Sequence, residues 1–500
     1  RLSLKTYLKA LELDTVNGSI LNNIANIYFE MEDYDLAIHY MEKSLILDPD
    51  DPEKLFNLGL LFEMKKDLKN ATNLFQQVIN KDSNNPLAKY HLLKCKQILS
   101  DWDYVAKHID WLDRLGLDGH PIYPTALLLL EDNPLKHELI ARRFFDNNFS
   151  GRQKLLPFKR KEKIRIGYFS SNFRNHPVMI MLLRVIELHD KSKFEIYAYS
   201  ISSSKNDKYT KRLTDSVCVF RDISSIDDTS AIELIRQDNI DIAFDLNGYG
   251  QGHRMNIFAN RIASIQINYL DYVGPLGSDC IDYILASRHV IPEKVASNYS
   301  EKILYMKNTM MCFDDTSKPS SVEISRKDQN LPNDSFVFSC FHRSHNITAK
   351  IFYSWCKILK EVDNSVLWLL KGNEISVKNI LTQAQSQGIK KDRIIFAESL
   401  PFEHHLRRST LSDLTLDTFP SNGGPTSLIS LYMGVPLLTL VGDSYSARIG
   451  YDILTNMRLS DMIATSEKQY EDIAIDYATN KDVQKRVKEK VLFEKINSPI

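Results

Sequence analysis

Residues 414–442 read LTLDTFPSNGGPTSLISLYMGVPLLTLVG. LTLDTF has the length of a buried strand, and Asn422-Gly423-Gly424 makes a tight loop. Pro425 suits the first helical position, where no amide hydrogen is needed. SLISLYM continues as a helix, Gly434 ends it, and VPLLTLVG is a second strand. Strand, turn, helix and strand in this order make a βα unit of a parallel sheet. The glycines let a ligand approach the backbone, and the helix start offers unpaired amides with partial positive charge. Asn422, Gly423, Gly424, Pro425 and Thr426 are therefore a candidate diphosphate site, with the Thr426 hydroxyl as a further donor. A glycine turn of this kind is a weak signal alone, because many such turns bind nothing.

The pattern extends in both directions. Upstream, FVFSCFHR, SVLWLLK and RIIFAES read as strands separated by helical segments, and together with 414–442 they form one doubly wound half. An earlier half begins at IRIGYFS (164–170) and runs through FEIYAYSI and AIELIRQDNIDIAFDL. The join falls near 315–335. Two such halves suggest a ligand between them, at the carboxyl ends of the strands. Residues that reach those ends are the Asn175-His176-Pro177 loop, Asp245 to Tyr249, the strand–helix junction containing His404, His405, Arg407 and Arg408, and the loop GDSYSARIG (442–450). His176 suits acid–base work near neutral pH. For at least one of Arg407 and Arg408 a solvated helix face is the simpler reading. Neither half has GxGxxG after its first strand, which argues against a nicotinamide enzyme.

The first hundred residues follow another rule. Ala25, Tyr28, Ala37, Met41, Ser44 and Pro49 recur 34 positions later as Gly59, Phe62, Ala71, Phe75, Val78 and Ser83. This is the period of a tetratricopeptide helix pair, and such arrays present a concave peptide-binding surface. A third repeat begins near Pro86 and degenerates around Asp101-Trp102-Asp103. The expected domains are 1–104 (repeats), 105–160 (helical linker, ending in the basic run 159–163), 161–325 and 326–500 (two Rossmann-like domains).

With 500 residues, 43% apolar and 25% charged, the chain has a globular composition. A net charge of −1 gives no global pull toward nucleic acid or anionic membrane, and no apolar run is long enough to span a bilayer. Six scattered cysteines without a CxxC pair argue against disulfides or structural zinc and predict a cytoplasmic setting. Arg1 falls inside a helical pattern, so an earlier start is expected.

In order and spacing, IRIGYFSSNFRNHP, NYSEKILYM, NSVLWLL, RIIF, EHHLRR, LDTFPSNGGPTS, MGVPLLTLVGDSYSARIG and QYEDIA, behind a tetratricopeptide array, resemble the O-GlcNAc transferase / SPINDLY family, in a bacterial-type member. The resemblance covers nearly the whole chain. It implies an α-helical tetratricopeptide solenoid followed by an α/β GT-B region. It further implies an inverting, metal-independent protein glycosyltransferase that moves GlcNAc from UDP-GlcNAc to Ser or Thr. Fucose from GDP or glucose on Asn are the alternatives within the family, and a degenerate, peptide-binding scaffold is the alternative outside it. No cofactor is implied beyond the nucleotide-sugar donor; the partner implied is a protein or peptide held by the array.

By the same resemblance His176 is the catalytic residue and the best candidate base. His405 lies against the nucleotide, residues 422–426 cap the diphosphate, and Gly442 to Arg448 lie beside the donor. Two positions depart from the family pattern. Asn346 stands where a Lys neutralises the leaving diphosphate; Arg343 and Lys350 are the nearby cations that could substitute for it. Ile429 stands where an acid holds the ribose.

Overall fold

The computed structural model describes residues 2–149, 161–203 and 206–499, so part of the basic run 159–163 lies outside the described residues. The chain divides into two compact units, 1–122 and 123–500.

The first unit stacks the helices Gly18–Glu30, Tyr34–Leu47, Pro52–Met64, Leu68–Lys81 and Pro86–Ile98. Asn17, Asp33, Asp51, Asp67 and Asn85 cap them by accepting first-turn amides, a contribution of about 1 kcal/mol each. Small residues set the helix spacing: a Cβ on Gly59 would stand 2.7 Å from the Phe75 ring. Glu32, Lys66 and Ser100 take φ of 60°, 65° and 54° at matching turns 34 residues apart. The period therefore survives into the third repeat, where Asp101 caps a second helix shortened to Trp102–Lys107.

The unit boundary falls inside the stretch expected as a 105–160 linker. Trp111 packs on the repeat core, whereas helix Pro134–Asn148 buries Ala141 and Phe145 against Tyr249 and Phe258 of the α/β unit.

The second unit holds two parallel sheets. The first contains β1 (Ile164–Ser170), β2 (Phe194–Ser200), β3 (Val219–Asp222), β4 (Ile242–Asp245), β5 (Ile265–Asn268), β6 (Tyr283–Ser287) and β7 (Lys302–Met306), in the order β3-β2-β1-β4-β5-β6-β7. The second contains β8 (Phe336–Cys340), β9 (Ser365–Leu370), β10 (Ile394–Ala397), β11 (Leu414–Leu416), β12 (Leu437–Leu440) and β13 (Ile463–Ala464), in the order β10-β9-β8-β11-β12-β13. Each sheet starts at a central strand, winds outward, then returns to the other side. The switch points lie between β1 and β4 and between β8 and β11, where ligands bind in such sheets.

The two lobes are joined by buried polar contacts. Asp452, on helix Ile449–Asn456, accepts Ser287 Oγ at 2.7 Å and Thr309 Oγ1 at 2.8 Å. The segment after β7 runs between helices Pro177–Glu187 and Pro425–Tyr432, where the Cys312 thiol meets the Met181 carbonyl and Tyr432 Oη donates to the Ser317 carbonyl. An orphaned buried hydroxyl costs about 1–3 kcal/mol. Asp452→Ala is therefore expected to lower the thermal midpoint of the α/β unit by several degrees, and an unchanged calorimetric midpoint would contradict the clamp.

Candidate active site

The loops that follow β1, β4, β5 and β8, together with the start of helix Pro425–Tyr432, converge between the lobes. In the first lobe His176 caps helix Pro177–Glu187: its Nδ1 accepts the Val178 amide at 3.3 Å. That fixes the ring proton on Nε2 and turns the ring outward as a donor. Burial, then Arg174 and Arg343, push the imidazole down to about 4, so it is neutral at physiological pH. In this arrangement the Nδ1 lone pair is engaged by the Val178 amide, and Nε2–H is the side of the ring left to donate. The loop is pinned by Asp207, which accepts the Asn175 amide at 2.6 Å.

Arg343 follows β8 in the second lobe, is exposed, and acts on both His176 and Asp271 of the first lobe. Neither Arg343 nor Arg174 has a carboxylate within ion-pair distance among the described residues. Two guanidiniums, one from each lobe, therefore act on His176 without a carboxylate at ion-pair distance, and an anion entering there would meet positive potential from both. Lys350, the other replacement for the missing lysine, is paired with Glu467. Arg174 was not singled out from sequence; an isolated loop arginine has no periodicity to betray it.

Most of the 422–426 turn is spent on holding its own shape. Asn422 Nδ2 donates to the Thr418 carbonyl at 2.8 Å, its Oδ1 accepts the Gly450 amide, and its own amide meets the Ser446 carbonyl. The Gly423 amide donates to Asp417 at 2.7 Å. Asp417 also accepts Thr439 Oγ1 and the Thr418 amide, while burial pushes its carboxyl up to about 7.

The Thr426 hydroxyl is occupied as well. Thr418 Oγ1 donates to the Ser421 carbonyl, so it accepts from His342 Nδ1 at 2.7 Å; His342 Nε2 then accepts from Thr426 Oγ1 at 2.8 Å. The side chains of Asn422 and Thr426 and the Gly423 amide thus shape the turn instead of reaching a ligand, and Pro425 has no amide hydrogen. What remains open among the described residues are the amides of Gly424, Thr426 and Ser427 and the buried, unpartnered Ser427 Oγ. Gly424 faces Met311, which a Cβ there would meet at 2.9 Å. Ile429 is buried.

His405 sits beside this cluster, edge-on to Phe341 at 5.1 Å, one residue from His342. Its Nδ1 accepts from Arg408 Nε at 3.1 Å, which leaves Nε2–H to face outward. Burial pushes its imidazole down to about 4. Arg408 is 1% exposed, donates to the Glu398 carbonyl, and lies 5.2 Å from the Phe341 ring. It orients His405 from behind. The loop 442–450 is fixed by Asp132, which accepts the amides of Asp443 at 2.8 Å and Ser444 at 2.7 Å. Arg448 donates to the His289 and Gly442 carbonyls. Among the described residues no group of three His, Cys, Asp or Glu side chains is placed to hold a metal ion, and no helix is long and apolar enough to cross a membrane.

Comparisons with known proteins agree with this architecture. The model of glycosyl transferase family 41 matches residues 145–318 and 312–500, and a tetratricopeptide-repeat model matches 17–82. The probable UDP-N-acetylglucosamine–peptide N-acetylglucosaminyltransferase SEC of Arabidopsis thaliana is 32% identical over 392 residues, 76% of this chain and 40% of the relative. The probable transferase SPINDLY of the same plant is 29% identical over 63% of this chain and 35% of its own length. The chain thus spans about 40% or less of the length of these relatives. A mutant of Thermobaculum terrenum O-GlcNAc transferase shares the fold: TM-score 0.72 at 22% identity, over 99% of this chain and 89% of the other. That likeness identifies the α/β unit as GT-B, behind a tetratricopeptide array.

Proposed function

The chain belongs to glycosyl transferase family 41, and from that premise we propose that it is an inverting, metal-independent protein glycosyltransferase. The donor is a nucleotide-sugar, UDP-GlcNAc in the first instance, and the acceptor is a Ser or Thr hydroxyl of a protein presented by the tetratricopeptide array. The setting is the cytoplasm. The observation that carries this reading is the pair of arginines without a salt bridge among the described residues, Arg174 and Arg343, brought from opposite lobes to one histidine. A diphosphate that gains charge as its bond to the sugar breaks is stabilised by cations and amides already in place. The free amides of Thr426 and Ser427 supply the helix-start share of that stabilisation. His405 Nε2–H offers a donor to the nucleotide, with Phe341 and Trp368 as its apolar backing.

Arg343 takes over the charge that the family draws from the lysine position occupied here by Asn346. His176, donating from Nε2, contacts the donor phosphate or the acceptor. His176→Ala is expected to cut kcat by about 10²-fold while changing donor affinity much less; equal losses in both would place the residue in binding alone.

The direct test is incubation of the full chain with UDP-GlcNAc, GDP-fucose or UDP-glucose and a mixture of Ser- and Thr-containing peptides, read by mass spectrometry, beside calorimetric titration with UDP. Sugar-sized mass increments on peptide and measurable UDP heat are expected. Neither signal at millimolar nucleotide would overturn the reading.

A further inference from the structure

His176 cannot accept a proton in the tautomer that the Val178 amide imposes, yet attack by an acceptor hydroxyl requires a base. The loop clusters of the first lobe hold one carboxylate suited to the task. Asp271 lies three residues beyond β5 and is partly exposed, at a point where the loops after β1, β4 and β5 meet. Those loops are tied together. Ser171 donates its amide to Asn247 Oδ1 at 2.8 Å, and Asn247 Nδ2 returns a bond to Ser171 Oγ at 2.6 Å. Asn172 Nδ2 then donates to Asp271 Oδ2 at 3.0 Å, while Asn172 Oδ1 accepts from Arg174 at 3.4 Å. Asp271 is therefore linked through one amide side chain to the loop that carries His176. Its second oxygen, Oδ1, has no partner among the described residues.

The charged groups that face Asp271 are Arg343, from the loop after β8 in the opposite lobe, and Asp245, at the end of β4. Asp245 is not an equivalent candidate: it is 2% exposed, and its Oδ1 accepts the amides of Asn247 and Gly248.

We propose that Asp271 is the general base of sugar transfer, receiving the proton of the acceptor hydroxyl on its free Oδ1. This assignment rests on the transferase reading given above. The acceptor oxygen forms a bond to the anomeric carbon as its proton passes to Asp271. The bond from that carbon to the diphosphate oxygen breaks, and its electron pair leaves with the nucleoside diphosphate toward Arg343 and the helix amides. Atoms and charge balance without a further reactant.

Burial raises the Asp271 carboxyl to about 6, against the opposing pull of Asn172 and Arg343. A base near 6 is ionised at neutral pH and stronger than an ordinary carboxylate. Activity that depends on it is present above that value and is lost as pH falls through about 6.

The test compares full-length wild type, Asp271→Asn and Asp271→Glu, with UDP-GlcNAc, GDP-fucose or UDP-glucose as donor and the peptide mixture as acceptor. UDP affinity is measured by calorimetry on the same samples. Asp271→Asn preserves shape and is expected to keep UDP affinity within about threefold, lower kcat by about 10²–10⁴-fold, and abolish the acid limb near pH 6. Asp271→Glu is expected to recover part of the rate and of the limb. Wild-type kcat in Asp271→Asn, or a persistent limb near pH 6, would overturn the assignment while leaving the transferase reading intact. Parallel loss of UDP affinity and rate would make Asp271 a binding group and would overturn it too. No transfer by wild type from any of the three donors would overturn the transferase reading, and this proposal with it.

Discussion

Arg343→Met is expected to slow sugar transfer by about 10²–10³-fold, equivalent to about 3–4 kcal/mol of transition-state stabilisation. The guanidinium is exposed, has no carboxylate partner among the described residues, and acts on His176 and Asp271 across the cleft. A cation so placed is available to charge that develops during the reaction. Because the leaving diphosphate gains charge only as its bond to the sugar breaks, the loss should fall more on kcat than on UDP affinity. Methionine keeps an unbranched stem at an exposed position and removes the charge, so folding should be unaffected. Arg343→Lys should recover part of the rate through charge alone, without the planar fork of guanidinium. Steady-state kinetics beside UDP calorimetry separates the two effects. Unchanged kcat in Arg343→Met would mean that another cation carries the leaving group.

Gly423→Ala is expected to be strongly damaging to both stability and UDP binding. A Cβ there would run into the His342 ring and lie 2.6 Å from Ser427 Oγ. His342 is 4% exposed and is bonded on both ring nitrogens, to Thr418 and Thr426, so it cannot swing away without breaking that chain. Overpacking costs about 1–3 kcal/mol, and orphaning a buried histidine partner adds about 1–3 kcal/mol. The helix start would move with Thr426, so UDP affinity should fall along with stability. Thermal unfolding and UDP titration of the same sample check both. A variant with wild-type midpoint and wild-type affinity would show that the turn yields more readily than its hydrogen bonds imply.

The fold was legible wherever local rules repeat. The 34-residue period exposed the helix pairs, and apolar runs broken by glycine, proline or polar clusters exposed β1, β2, β4, β8, β9, β10, β11 and β12. Strands β3, β5, β6, β7 and β13 escaped notice; β7 is an edge strand with alternating exposure and β13 has two residues, so neither makes the continuous apolar run that marks a buried strand. Of the site, the motif loops could be read: they meet where the topology switches.

What escaped is the division of labour within them. Whether the Thr426 hydroxyl is free depends on His342, 84 residues away. Whether the 443–444 amides are free depends on Asp132, 311 residues from Asp443. The tautomer of His176 is set by an amide two residues on, and that of His405 by a buried arginine, neither of which has a composition or spacing signal. Arg174 and Asp271 are single polar residues in loops, and only the convergence of three strand ends makes them neighbours of the chemistry.

A crystal structure of the full chain with UDP bound tests most directly whether Arg343 and the start of helix Pro425–Tyr432 grip one leaving group. The expected result is a diphosphate within hydrogen-bonding distance of the Thr426 and Ser427 amides and of the Arg343 guanidinium, with His405 beside the nucleoside. A diphosphate bound elsewhere, or an empty cleft at saturating UDP, would contradict it.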